Sequence, residues 1–431
     1  MILIKNGYLL EPKSGYEGEA DILIEEDRIK RIFPGGGVNP DTMMVENLQI
    51  LDAEGQYVAP GLVDVHVHLR EPGFEYKEDI ASGAKAAAKG GYTTLVLMAN
   101  TKPLTDNEET LSYVLEKGKE TEIHIKPCAA VSKGFAGKEF VDYQQMLSLG
   151  AVGFTDDGMP LMDEIFLEEA MNKIAKLKVP ISLHEENPKL IAENGIHRGK
   201  ASAHFNIEGS PREAEITMVK RDVELAKKTG VIFNVQHISC KETVEIIRQA
   251  KKQGFDNIHA EATPHHFTLT EDAVIELGTM AKMNPPLREE EDRQAIIEGL
   301  KDGTIEIIAT DHAPHSKEEK ERELTKAPSG ILGLETALSL GIGELVAKNG
   351  MCLLDLMERM SYFPAKMYGL EAGYLEEGGP ADVVIFDPNE LWRVEGFLSK
   401  SQNSPFLGKM MLGKVKTTIC KGKIVYQDET I

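Results

Sequence analysis

The 431-residue chain carries 48 basic against 70 acidic side chains, a formal charge of −22, with 42% hydrophobic and 27% charged residues. That balance fits a folded globular protein and argues against a nucleic-acid binder, which needs clustered Lys and Arg to neutralise phosphates. It also repels anions at long range, so an acidic substrate has to be captured locally, by an arginine or a metal.

The length allows one barrel-sized domain plus an accessory module. The first 55 residues alternate in short β-like segments, 1–4, 20–25 and 28–33, with Gly35-Gly36-Gly37 beyond them and no helical periodicity. MILIKNGYLL is interrupted by Lys5 and Asn6 and lacks the pattern of a secretory leader, and no stretch approaches the roughly 18 apolar residues of a membrane span. Four scattered cysteines, Cys128, Cys240, Cys352 and Cys420, form no CxxC pair, which predicts a reduced cytoplasmic protein without zinc-thiolate sites.

Residues 57–65 (YVAPGLVDV) read as a buried strand that runs into His66-Val67-His68. Two histidines two apart on a strand share a face and can grip one metal ion, although a lone pair could equally be packed or solvated. Seven further strand candidates follow, 93–99, 122–131, 151–156, 180–184, 231–237, 257–263 and 305–310; with 62–69 they make eight, the number that closes a barrel. Helix-like segments, such as 163–178 and 241–252, separate them. The clearest helix start is Ser210-Pro211-Arg212-Glu213, where Ser210 caps, Pro211 takes the first turn and Glu213 completes a capping box. Segments 381–386, 415–420 and 423–426 return to the β-like pattern of the N-terminus. The fold class is therefore α/β: a (β/α)8 TIM barrel over 56–370, with residues 1–55 and 371–431 forming a small composite β-sandwich.

Histidines and aspartates collect at the C-terminal ends of these strands, the barrel face on which catalytic residues converge. His66 and His68 end the first, Asp156-Asp157 the fourth, His184 the fifth, His237 the sixth and Asp311 the eighth. Four imidazoles with carboxylates suit zinc or a similar ion, which polarises a carbonyl and lowers the pKa of bound water towards about 7. An aspartate beside that water can do general acid and base work, so hydrolysis follows.

DVHVHLREPG, MANTKP, FTDDG, ISLHEE, PHHFTLT, MNPPLR and TDHAPH, in that order, resemble the dihydroorotases of the amidohydrolase superfamily, bacterial class I type, over essentially the whole chain. The resemblance implies reversible interconversion of N-carbamoyl-L-aspartate and L-dihydroorotate on the route to pyrimidines, with one or two zinc ions per subunit. It implies that His66, His68 and Asp311 hold the more buried ion, that His184 and His237 hold a second, and that Asp311 is the catalytic base and acid. Many superfamily members bridge their metals with a carboxylated lysine; here Asp157 is assigned by alignment of FTDDG, while strand parity leaves open whether Asp156 or Asp157 faces inward. Substrate contacts fall to Arg70 as carboxylate clamp, Asn100, Asn284, His315, Ser329 and Gly330. The resemblance also implies a homodimer and association with an aspartate carbamoyltransferase.

The other histidines read as structural: His124, His197, His204 and His259 match no ligand position, and His265-His266 reads as loop architecture. Lys85, Lys89 and the acidic run 289–292 read as solvated helix faces, and residues 316–324 (SKEEKEREL) as a mobile lid. The rival functions are a hydantoinase, dihydropyrimidinase or allantoinase, and a non-catalytic scaffold.

Overall fold

A computed structural model describes residues 1–43 and 47–428. The chain opens with β1 (Ile2–Glu11), β2 (Tyr16–Glu25), β3 (Arg28–Pro34), β4 (Gln49–Asp52) and β5 (Tyr57–Pro60). Next come β6 (Leu62–Val67), β7 (Tyr92–Leu97), β8 (His124–Pro127), β9 (Pro180–Leu183), β10 (Ile232–Val235), β11 (Ile258–Ala262) and β12 (Ile307–Ile308), with helices between them. It closes with β13 (Val383–Arg393), β14 (Met410–Cys420) and β15 (Lys423–Gln427).

The segments β6 to β12 form a closed parallel barrel. The ladders β6-β7-β8 and β9-β10-β11-β12 are joined by single bridges, Ala129 and Ile181 to Phe154 on one side and Val67 to His312 on the other. The fourth strand candidate, 151–156, is thus reduced to the bridges at Phe154, whose own N–H and carbonyl pair with Pro180 O and Ser182 N, while the flanking Gly153 O and Thr155 N pair with Ala129. At the seam between first and last strands the buried Asp64 carboxylate accepts from Thr310 N and His66 N. A side chain there supplies the acceptor that a longer strand would have offered.

The two ends of the chain build one eight-stranded sheet that branches at β1, in the order β15-β14-β13-β5-β1-β2-β3 with β4 also on β1. The single strand expected over 57–65 is divided at Gly61: β5 belongs to this sheet and β6 to the barrel. Gly61 is required at the crossing, because a Cβ there would stand 2.2 Å from Thr93 Oγ1. The sheet docks on the barrel base through Gly61 N to Asp382 O (2.9 Å) and Thr418 Oγ1 to Ala88 O (2.7 Å). Val384, Phe386, Met411, Val415 and Cys420 join the barrel's own hydrophobic cluster.

Three local expectations fail. The helix expected to be capped by Ser210 runs Arg212–Thr229 without a side-chain cap, because the buried Ser210 hydroxyl donates to Glu186 Oε1 (3.3 Å) instead. Within the acidic run 289–292, Asp292 is buried and ties together three helix starts, accepting from Arg212 Nη1 (2.7 Å), Lys241 N (2.9 Å) and Glu289 N (3.3 Å). Lys89 is half-buried and pairs with the buried Glu335 (2.7 Å), whereas Lys85 is exposed as expected. The four cysteines are free, and no helix among the described residues is long and apolar enough to cross a membrane.

Candidate metal centre and active site

Period-two alternation on β6 turns His66 and His68 towards the same point above the barrel. His66 is fully buried, and its Nδ1 is bonded to the Glu261 carboxylate of β11. That leaves Nε2 aimed inward, with no hydrogen-bond partner, 3.5 Å from Asp311 Oδ1 and 3.6 Å from Asp157 Oδ1. His68 Nδ1 donates to Asn100 Oδ1 (2.9 Å), which sets Nε2 2.9 Å from Asp311 Oδ1 and 3.4 Å from Asp157 Oδ2. A second triad lies alongside: His184 Nδ1 is 2.9 Å from His237 Nε2, and both face Asp157 Oδ1, at 3.7 and 3.9 Å. His184 is oriented from behind by Glu186 (3.1 Å).

Asp157 therefore stands between the two groups. Its neighbour Asp156 points away, accepting from Val131 N (2.6 Å) and the Ser132 hydroxyl (2.5 Å), which fixes the loop after β8. Strand parity leaves room for one inward carboxylate, and the next loop claims the other.

The electrostatics suit a cation. Burial works against charge on His66, yet Glu261, Asp311 and Asp157 together push its imidazole well above the ordinary value. Burial likewise disfavours the Asp157 carboxylate, but His66, His184 and His68 hold it well below the usual range. Burial and the neighbouring His184 and His66 drive His237 well below its ordinary value, so it stays neutral, the form that binds metal. Nitrogen and carboxylate donors from His66, His68, Asp157, His184, His237 and Asp311 lie in three overlapping groups whose atoms are within 4.8 Å of one another. With the orphaned His66 Nε2, this donor set fits one or two divalent ions of the zinc class.

Arg70, His237 and Asp311 all take left-handed backbone conformations, with φ of 62°, 34° and 46°. Such strain, on the order of 1–3 kcal/mol each, is retained where a fold over-determines the geometry of a site. Arg70 lies just past the strand end, so the left-handed turn rather than strand parity aims it. Its Nε donates to Pro314 O (3.1 Å) and its Nη2 to His315 Nε2 (3.3 Å), and no carboxylate among the described residues pairs with it. Burial, with Arg70, Lys77 and Lys320 close by, pushes His315 far down, so it backs Arg70 as a neutral ring. Asn284 accepts from the Ser329 hydroxyl (3.1 Å). Both backbone groups of Gly330 are engaged, the N–H with Lys282 O (3.0 Å) and the carbonyl with Lys320 Nζ (3.1 Å) and Asn403 Nδ2 (3.0 Å). Asn100 likewise spends its amide on His68 and Asp157, at 2.9 and 3.4 Å.

Sequence reasoning passed over Glu261, Glu186 and two buried lysines. Lys282 Nζ donates to Leu324 O (2.7 Å) and Ala327 O (2.8 Å), and Lys320 to Pro328 O (3.1 Å), so both pin the loop that carries Ser329 and Gly330. Burial lowers Lys282 to about 8 and Lys320 to about 7. Of the expected lid, Glu319 and Lys320 are buried and engaged in this framework. His265 and His266, expected in a loop, lie instead in a short helix, Pro264–Thr268, where the His266 ring bonds the capping Thr263 Oγ1 (2.7 Å) and Pro285 O (3.0 Å).

A family model described as Dihydro-orotase-like matches residues 55–243. Over 426 residues the chain is 55% identical to a dihydroorotase of Clostridioides difficile strain 630, covering 99% of this chain and 100% of that protein. The chain belongs to the dihydroorotase family. A dihydroorotase of Clostridium acetobutylicum is 50% identical over all of both chains. Among solved structures, an L-hydantoinase (dihydropyrimidinase) from Arthrobacter aurescens has a TM-score of 0.86 at 27% identity, over 99% of this chain and 96% of that one. A D-hydantoinase from Thermus sp., at 24% identity and a TM-score of 0.84 over the same shares, speaks to the fold alone. The TIM barrel with its terminal sheet is thus the architecture of this dihydroorotase. Like its relatives it is a hydrolase of cyclic amides, and its His and Asp clusters could hold a metal cofactor.

Proposed function

We propose that the chain closes N-carbamoyl-L-aspartate to L-dihydroorotate and reopens it, using one or two zinc ions held by His66, His68, Asp157, His184, His237 and Asp311. Asp157 is the bridging ligand in this reading, supported by its position between the two histidine pairs. When bound, such an ion supplies a Lewis acid for the ring carbonyl and makes a nucleophile available near neutral pH.

The observation that carries the substrate choice is Arg70, a half-buried guanidinium beside the cluster with no carboxylate of its own among the described residues. Its fork matches the carboxylate that both substrates present, and His315 holds it in place. Asn284 and Ser329 offer further polar contacts. Asn100 acts through His68 and Asp157, and Gly330 through the loop geometry its two hydrogen bonds define.

In ring opening, Asp311 takes the proton of the attacking water as its oxygen bonds to the ring carbonyl carbon. As the carbon–nitrogen bond breaks, Asp311 returns that proton to the leaving nitrogen. Ring closure runs the same transfers backwards. The resemblance further supports a cytoplasmic homodimer associated with an aspartate carbamoyltransferase, and sedimentation of the purified chain reads the dimer.

Comparing L-dihydroorotate with hydantoin and allantoin tests the substrate assignment. The expected result is turnover of dihydroorotate at a kcat/KM at least about a hundredfold above either rival, the worth of a charged contact. Preference for hydantoin or allantoin overturns it.

A further inference from the structure

We propose that Cys420 Sγ, His124 Nε2 and Asp382 Oδ2 form a separate, structural site for a zinc-class divalent ion at the barrel base, completed by water. The three residues come from different parts of the fold: His124 opens β8, Asp382 immediately precedes β13, and Cys420 ends β14. One ligand atom from each lies within 4.8 Å of the others. An ion there would staple the terminal sheet to the barrel, on the face opposite the catalytic cluster.

Two observations favour a ligand over a plain ion pair. Asp382 is buried, at 2% exposure, and its Oδ2 has no hydrogen-bond partner, although His124 Nε2 is only 3.0 Å away. The ring nitrogen and the carboxylate oxygen therefore stand side by side without the geometry of a hydrogen bond. The other oxygen, Oδ1, is fixed by Lys421 N at 2.9 Å, the kind of outer contact that orients a metal ligand. Zinc ligands at about 2.0–2.3 Å in a tetrahedron stand about 3.3–3.8 Å apart, so donors that all lie within 4.8 Å of one another have at most about 1–1.5 Å of separation to close. His124 is partly exposed, at 29% for its side chain, which gives water access to the fourth position. A thiolate, a carboxylate and a neutral imidazole balance a doubly charged ion. Burial and Asp382 keep the Cys420 thiol protonated without a cation, so binding releases its proton to solvent as the sulfur–metal bond forms.

Cobalt spectroscopy on the full chain tests this independently of catalysis. After chelation and refilling with Co2+, a thiolate ligand gives a charge-transfer band in the near ultraviolet, which the nitrogen and oxygen donors of the catalytic cluster cannot. The expected result is that band in the wild type and in Cys352→Ser, and its loss in Cys420→Ser and His124→Asn together with about one equivalent of bound metal. Cys352 is the exposed thiol and controls for surface binding. Because His124 is partly exposed, His124→Asn still reads the site if Cys420→Ser does not fold. A wild type without the band, a band that survives either ligand substitution in a folded protein, or one that disappears with Cys352→Ser overturns the proposal.

Discussion

Three of the four clustered imidazoles are set by what holds their outer nitrogen, whereas the outer nitrogen of His237 has no partner. Glu261 fixes His66, Asn100 fixes His68 and Glu186 fixes His184, so the inner nitrogens are aimed before any ion arrives. The histidines and Asp311 were legible because each stands at the end of a strand that the apolar pattern marks. Glu261 was not, since an acidic residue within IHAEA breaks the apolar pattern without showing which distant histidine it serves. Its signal was there: charges are almost never fully buried unless paired. Glu261→Gln should weaken metal affinity about 10–100-fold in chelator competition while leaving the fold intact; unchanged affinity would remove Glu261 from that role. Arg70→Lys keeps the charge but loses the fork, so kcat/KM for dihydroorotate should fall about 10–100-fold, mainly through KM, with metal content unchanged. An unaltered KM would place the substrate carboxylate elsewhere.

At the level of elements, the sequence conveyed the alternation of strands and helices better than their junctions. The fourth strand survives as one bridging residue and Gly61 divides an unbroken apolar run, because barrel closure and sheet docking override local pattern. Asp292 shows the same limit: from sequence it is one acid in a charged run, yet in three dimensions it joins the starts of helices Arg212–Thr229, Lys241–Lys252 and Glu290–Asp302. Asp292→Asn should cost about 2–4 kcal/mol, read as a lower urea midpoint at unchanged slope. Burial raises the Asp292 carboxyl, but the Arg212 guanidinium and Lys241 N outweigh it and hold it below its ordinary value. Its stabilisation is therefore full above the unfolded value of about 3.9 and is lost as pH falls through the folded one. The gap between wild type and variant should narrow below about pH 4; a gap of constant size down to about pH 3 would contradict the assignment.

For the molecule as a whole, one face of the terminal sheet joins the barrel's hydrophobic cluster while the other packs a core of its own around Ile4, Leu9, Ile22 and Val383, so the shared face couples the two regions. Calorimetry should show a single cooperative transition; two resolved transitions would mean that the sheet unfolds alone. The overall charge of −22 leaves capture of an anionic substrate to the cations beneath the barrel mouth, Arg70 and Lys77, with the neutral His315 ring between them. In the proposed reaction the chemistry rests on one carboxylate, Asp311 at the end of the eighth strand, 2.9 Å from His68 Nε2 and held in a left-handed turn. The decisive measurement is steady-state turnover of L-dihydroorotate by Asp311→Asn, with metal content determined on the same preparation. The expected result is a fall in kcat of at least about 10²–10⁴ with at least one ion still bound by the histidines and Asp157; near-normal kcat in the metal-loaded variant would remove Asp311 from the proton-transfer role.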